Sequence, residues 1–175
     1  MENFNIPYKG LSDGSHLFEL EVDDTFFSEF PQSEITSGNL KVLTKLEKSS
    51  LMLSFEFHVN GTISVQCDRC LDFFDYPIDF VEHLYVKFGL NSSDISDVLD
   101  TMVLSFDESH VDLATHIYEY IMLAKSVRNV HPKDKKGKST CNQEMIQTLK
   151  KFKSKEEKTM DPRWEILQTK LNTEN

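Results

Sequence analysis

Cys67 and Cys70 stand two residues apart in Val65-Gln66-Cys67-Asp68-Arg69-Cys70-Leu71, and Cys141 is the only other thiol in the chain. Two thiolates at that spacing can grip one metal ion from a tight turn, since zinc–sulfur bonds of about 2.3 Å let both reach one centre. A closed structural zinc site needs four ligands, usually Cys or His. Cys141 offers a third, and His131 is the nearest histidine on its side. Two readings stay open on the residues alone. Either Cys67, Cys70, Cys141 and His131 form a structural zinc site, or the turn keeps free thiols and His131 bonds backbone. His58, His83, His110 and His116 fall in expected strands or near a helix start and read as structural or exposed.

Other uses of the cysteine pair fit less well. A thioredoxin-like pair should open a helix after a strand, but the residues after Cys70 alternate like a strand. Zinc deaminases need a His-x-Glu alongside Pro-Cys-x-x-Cys; here Gln66 precedes Cys67 and no His-x-Glu occurs. There is no His-Glu-x-x-His, and six glycines leave little room for a phosphate cradle. The acidic stretch Asp94–Asp100 is spaced irregularly and reads as a solvated loop. No catalytic residue is assigned, and no small-molecule substrate is expected.

The second chemical feature is charge. Residues 1–124 hold 6 Lys/Arg against 22 Asp/Glu, whereas residues 125–158 hold 11 against 4. An acidic body with a basic segment can present that segment to an anionic partner such as RNA, or fold it onto itself. The candidate contacts are Lys133, Lys135, Lys136 and Lys138 in a loop, then Lys150, Lys151 and Lys153 further on. Lysines bind phosphate without reading bases, and aromatic residues for stacking are scarce among them.

The elements that must position these residues follow from periodicity. The chain has 175 residues, 39% hydrophobic and 27% charged, with thirteen phenylalanines: enough for one core with polar appendages. Leu17–Val22 and Leu40–Glu47 alternate as strands, and Asp23 can cap a short helix ending before Pro31. Every odd position from Leu51 to Val59 is apolar, and Asn60-Gly61 is a strong hairpin signal. A three-residue loop there pairs Phe57 with Ile63, Phe55 with Val65 and Leu53 with Cys67, and puts Cys67 on the phenylalanine side. A long run from Phe74 to Phe88 keeps its apolar residues at even positions, with Pro77 marking an edge. Met102–Phe106 is a short strand. Asp112 or Ser109 caps the best helix, with Leu113, Ile117, Tyr120, Ile121, Ala124 and Val127 on one face. Asn142 to about Lys153 is a short amphipathic helix, residues 153–159 a charged linker, and Asp161-Pro162 starts a last one.

The fold expected is α+β: an antiparallel β-meander or partly closed sheet packed by one long helix, with a short C-terminal helical extension. The expected division is residues 1–16 as an N-terminal extension, 17–128 as the core carrying the Cys-x-x-Cys turn, and 129–175 as basic loop and helical segment. An odd cysteine count rules out a complete disulfide framework within one chain, and neither a signal peptide nor a membrane-length apolar run is evident. A cytoplasmic protein without membrane association is the expectation.

The order of features resembles the YceD family, bacterial and plastid proteins linked to accumulation of large-subunit ribosomal RNA. The resemblance rests on a strand entering Cys67-x-x-Cys70-Leu71, an aromatic strand, a helix beginning Val111-Asp112-Leu113, a loop with a later cysteine, and Asp161-Pro162-Arg163 before a short helix. It spans about residues 15–172. Many relatives carry two or more cysteines at the second knuckle where this chain has Cys141 alone, so His131 is not a residue the resemblance supplies. The resemblance implies a non-enzymatic ribosome-biogenesis factor that contacts pre-ribosomal large-subunit RNA or an assembling ribosomal protein. A binding module or chaperone for a basic ribosomal protein, without RNA contact, is the alternative.

Overall fold

Period-two alternation builds most of the structure. The computed structural model describes residues 2–89 and 101–152. The expected acidic loop at 94–100, the linker 153–159, Lys153 and the last helix from Asp161 lie outside them. Strands β1 (Asn5–Pro7), β2 (Gly14–Val22), β3 (Gly38–Lys48), β4 (Met52–Gln66), β5 (Phe73–Phe88), β6 (Thr101–Leu104) and β7 (His110–Asp112) are joined by α1 (Asp24–Ser28), α2 (Ala114–Ala124) and α3 (Gln143–Phe152). The main sheet has the order β2-β3-β4-β5-β6, antiparallel except for the β5–β6 pair, and β1 pairs with β7 apart from it. The fold is α+β, and the sheet is open rather than partly closed. Its inner face is filled instead by Phe4, Ile6 and Tyr8, by Phe26 and Phe27 of α1, and by Ile117 and Ile121 of α2. Residues 1–16 thus place three side chains in the core.

Two expectations change. The Asn60-Gly61 hairpin does not exist: β4 runs straight through it, with Asn60 opposite both Lys41 and Asp79. Phe55, Phe57, Ile63 and Val65 therefore lie along one strand rather than across from one another, and Cys67 follows its end. Their shared face survives because Val59, Gly61, Ile63 and Val65 stay in phase, and a period of two needs no turn. The real β4–β5 turn is residues 67–72, between the paired Gln66 and Phe73. Pro77 does lie in the part of β5 that pairs with β4 alone, as its missing amide requires.

The one long helix is also shorter than its apolar spacing suggests. α2 has 11 residues, and Val127 is fully exposed beyond it. Lys125 already has extended backbone. The chain must leave the helix there to deliver Asn129 to Asp68 at the cysteine turn. At the other end the Asp112 carboxylate accepts from the Ala114 amide at 2.9 Å, satisfying one orphan donor. No helix among the described residues is long and apolar enough to cross a membrane.

Thr44 interrupts the inner face of β3 between Val42 and Leu46, and its hydroxyl is buried without a hydrogen-bond partner among the described residues. Leaving such a group unsatisfied costs about 1–3 kcal/mol. Thr44→Val keeps the shape and removes the orphan hydroxyl. It is expected to stabilise the fold by about 1 kcal/mol and to raise the thermal midpoint by about 2–4 °C. Thermal unfolding by circular dichroism checks this; an unchanged or lowered midpoint would mean that the hydroxyl has a partner in solution.

Candidate metal centre and basic loop

The β4–β5 turn is a tight knuckle because its backbone bonds close on themselves. The Leu71 amide donates to the Cys67 carbonyl and the Cys67 amide to the Asp72 carbonyl, both at 2.9 Å. The Gln66 side chain reaches around to the Leu71 carbonyl. Leu71 takes a left-handed backbone, φ 63°, which costs a leucine about 1–2 kcal/mol. Knuckle and strand end together turn Cys67 and Cys70 to the same point.

Residues 129–141 come to that point from the end of α2. Asp68 is their anchor: its amide donates to the Asn129 carbonyl at 2.8 Å, and its carboxylate accepts from the Asn129 amide at 2.7 Å. This seats His131 beside Cys70, with Nδ1 at 3.4 Å from Sγ and the ring 4.6 Å from that of Phe74. Cys141 returns at the far end of the loop, Sγ 3.9 Å from that of Cys67. All four donor atoms lie within 4.8 Å of one another. Zinc bonds of about 2.3 Å to sulfur and 2.0 Å to nitrogen, at tetrahedral angles, put sulfurs about 3.8 Å apart and sulfur and nitrogen about 3.5 Å apart. The Cys67–Cys141 and Cys70–His131 distances match these separations, and no other pair of donor atoms exceeds 4.8 Å. It is buried, and Phe74, Val130, Met145 and Ile146 pack around it.

The thiols are free, and their electrostatics are uneven. Burial pushes the Cys67 thiol up, but backbone hydrogen bonds from Cys70 and Arg69 and the His131 ring outweigh it and bring its pKa down to about 6. At Cys70 burial prevails over the amides of Asn142 and Asp72, and the neighbouring Cys67 thiolate adds to it, so that thiol is raised. One sulfur is thus ready as a ligand near neutral pH. The other needs a cation beside it to lose its proton.

Between His131 and Cys141 the loop is a small hairpin. Lys133 and Ser139 form a bridge across it. The Asp134 carboxylate accepts from the amides of Lys136 and Lys138 at 2.9 and 2.8 Å, and Gly137 takes the left-handed corner at φ 77°. Lys133, Lys135, Lys136 and Lys138 are all exposed at its tip. Asn142 then caps α3 through the amides of Glu144 and Met145. Lys150 and Lys151 sit in the last turn of α3, so the structure separates them from the tip by roughly 11 Å of helix. The four expected ligands are brought together; the expected lysines fall into two groups.

Two residues were passed over in the sequence. Asp68 and Arg69 occupy the variable positions of the Cys-x-x-Cys turn, where only structure shows that one anchors the loop and the other reaches Ser139. A Gly-x-Ser-x-Gly string at residues 10–14 also occurs. It lies in the chain entering β2, not on the strand-to-helix elbow a nucleophile needs, and the His16 ring faces the Ser12 carbonyl. The remaining histidines stand apart, His58 against Glu56 and His116 against Glu119.

The family model for the large ribosomal RNA subunit accumulation protein YceD matches residues 55–169, from mid-β4 through the knuckle, α2, the basic loop and α3 and beyond. No curated protein and no solved structure matches the chain. The match covers well over half of the 175 residues and includes all four clustered side chains, and the chain accordingly belongs to the YceD family.

Proposed function

We propose that this protein supports accumulation of large-subunit ribosomal RNA without catalysing a reaction, by contacting pre-ribosomal RNA in the cytoplasm through its basic loop. A zinc ion held by Cys67, Cys70, His131 and Cys141 would act as a structural staple. Four protein ligands leave no open coordination position, so the chemistry such an ion supplies is folding, not bond breaking. The observation that carries this reading is the mounting of the loop. The tip lysines stand on the clustered side chains of the knuckle, at one end of a body that is otherwise strongly acidic. Lys150 and Lys151 would extend the cationic surface along α3.

A second reading has one observation in its favour. A cleft of about 590 Å³ at the β2–α1 junction is lined by Asn3, Glu21, Asp23 and Glu29. It suits a basic ribosomal protein segment. Sedimentation and pull-down separate the two. The RNA reading expects the protein to travel with large-subunit precursors, to lose them on nuclease treatment, and to release them when Lys133, Lys135, Lys136 and Lys138 become glutamine. A ribosomal protein retained after nuclease treatment supports the second reading. No association with precursors, together with unaltered large-subunit RNA in a deletion strain, rejects both.

A further inference from the structure

The cysteine turn contributes a cation as well as ligands. Arg69 sits between Cys67 and Cys70, exposed, and its guanidinium donates to the Ser139 hydroxyl at 3.4 Å. Ser139 is bridged to Lys133 and follows Lys138 in the chain. The backbones of Lys133 and Lys138 flank that serine, one across the bridge and one beside it in the chain, so cationic residues from two distant parts of the sequence are carried on one small hairpin and the turn beneath it, with Lys135 and Lys136 at the tip. The nearby carboxylates are turned to other work. Asp134 accepts from loop amides, Asp68 from the Asn129 amide, and Asp72 from the Asn142 side chain. Those partners are neutral amides and leave the three negative charges in place, so the surface carries five cations, Arg69, Lys133, Lys135, Lys136 and Lys138, against three carboxylates. Phe74 packs against His131 and the cysteines, and the exposed Phe73 lines a different hollow, with Asp68, Lys125 and Asn129.

We propose that Arg69, Lys133 and Lys138 form a single phosphate-binding site for the backbone of double-helical RNA, with Arg69 as its fixed member. This deepens the RNA reading above and rests on it. Arginine suits the place because its planar fork can hold Ser139 and a phosphate oxygen together, where a lysine offers only a point charge. With no aromatic residue among Arg69, Lys133, Lys138 and Ser139 themselves, the site recognises backbone and shape rather than bases.

The test is the salt dependence of binding of the full chain to a short fluorescent RNA duplex. Each phosphate contact contributes about 0.9 to the slope of log K against log salt in a duplex. Arg69→Gln is expected to weaken binding about three- to fivefold at about 50 mM salt and to lower the slope by about one. Arg69→Lys keeps the slope, and Ser139→Ala leaves it unchanged. Lys41→Gln, on the exposed face of β3, serves as the control and changes nothing. An unchanged slope in Arg69→Gln overturns the proposal. So does a fall of several units not restored by Arg69→Lys, because it would make Arg69 a clasp for the loop instead of a phosphate contact. Tighter binding to a single strand, or dependence on base sequence, also overturns it. Failure of the duplex to bind, while precursors still co-sediment, rejects this site and leaves the ribosomal reading standing. Binding without co-sedimentation does the reverse.

Discussion

A Cys141→Ser variant is expected to lose the ability to hold a zinc ion at the knuckle and, with it, the helix that follows. α3 has ten residues and no buried side chain. Among the described residues its apolar packing on the body is Met145 and Ile146 against the three-cysteine cluster. Isolated helices shorter than about 12–15 residues are marginal in water, so α3 depends on that cluster for its existence. The capping bonds from Asn142 are worth only about 1 kcal/mol and cannot hold it alone. Changes outside the ligand shell of a metal site cost about 10–100-fold in affinity; removing one of four ligands should cost more than about hundredfold. The main core is a distinct cluster built from the sheet, α1, α2 and the N-terminal residues, and the half-buried Phe74 packs against both it and the cysteines. The variant should therefore keep its sheet and its main unfolding transition. Hydrogen exchange is the discriminating measurement. Amides of residues 143–152 should lose protection in Cys141→Ser, and in the parent protein after chelation, while β3 and β4 amides keep theirs. Purified parent without stoichiometric metal, or a variant with unchanged protection in α3, would show that the cysteines pack as a small apolar cluster and nothing more.

The contrast between the two cores explains what could be read from the chain. Core positions were legible wherever one element buries one face. Odd residues of β4 and even residues of β5 are buried in the pattern their alternation gives. Asp23 was legible as a cap, because a short side-chain oxygen before an apolar run has one common use. All four clustered side chains were legible as candidate ligands, but the route that brings them together was not. Cys67 and Cys70 are joined by local geometry, but His131 and Cys141 reach them through Asp68 and Asn129, a contact between residues 61 apart that no spacing rule encodes. Strand β1 gave no signal: three residues ending in a proline have no period, and their pairing with β7 depends on where the chain goes a hundred residues later. Arg69 was hidden for the same reason, since its partner Ser139 belongs to the far loop.

Gly61→Ala is expected to be the most damaging single substitution in the sheet. Its backbone lies at φ 149°, and a Cβ there would meet the Asn39 carbonyl oxygen at 2.2 Å and the Leu40 Cα at 2.9 Å. Both obstacles are backbone, so no side-chain rotation relieves them. Relief requires shifting β3 against β4, which are paired in register from Gly38↔Ile63 to Lys48↔Leu53. That shift would drag Leu40, Val42 and Leu46 out of a core in which they are almost fully buried. With about 1–2 kcal/mol for the unfavourable backbone added, the loss should reach about 4 kcal/mol or more, in the range reserved for severe strain. That is a large part of the roughly 5–15 kcal/mol of a typical domain, and it should lower the thermal midpoint by about 10 °C or more. Gly38→Ala should be milder, because its contacts at 3.0–3.1 Å include the movable side chains of Phe27 and Ile63. Gly10→Ala, with nothing within 4 Å, should be neutral. Gly61→Asn decides between the structure and the hairpin that Asn60-Gly61 suggests. A hairpin corner accepts asparagine in the left-handed region at little cost, whereas a strand pressed against Asn39 does not. A Gly61→Asn protein as stable as its parent would place a turn at residues 60–61 and overturn the continuous β4 strand. The expected result is that Asn and Ala fail together, because the constraint at residue 61 is the closeness of β3 and not the curvature of the chain.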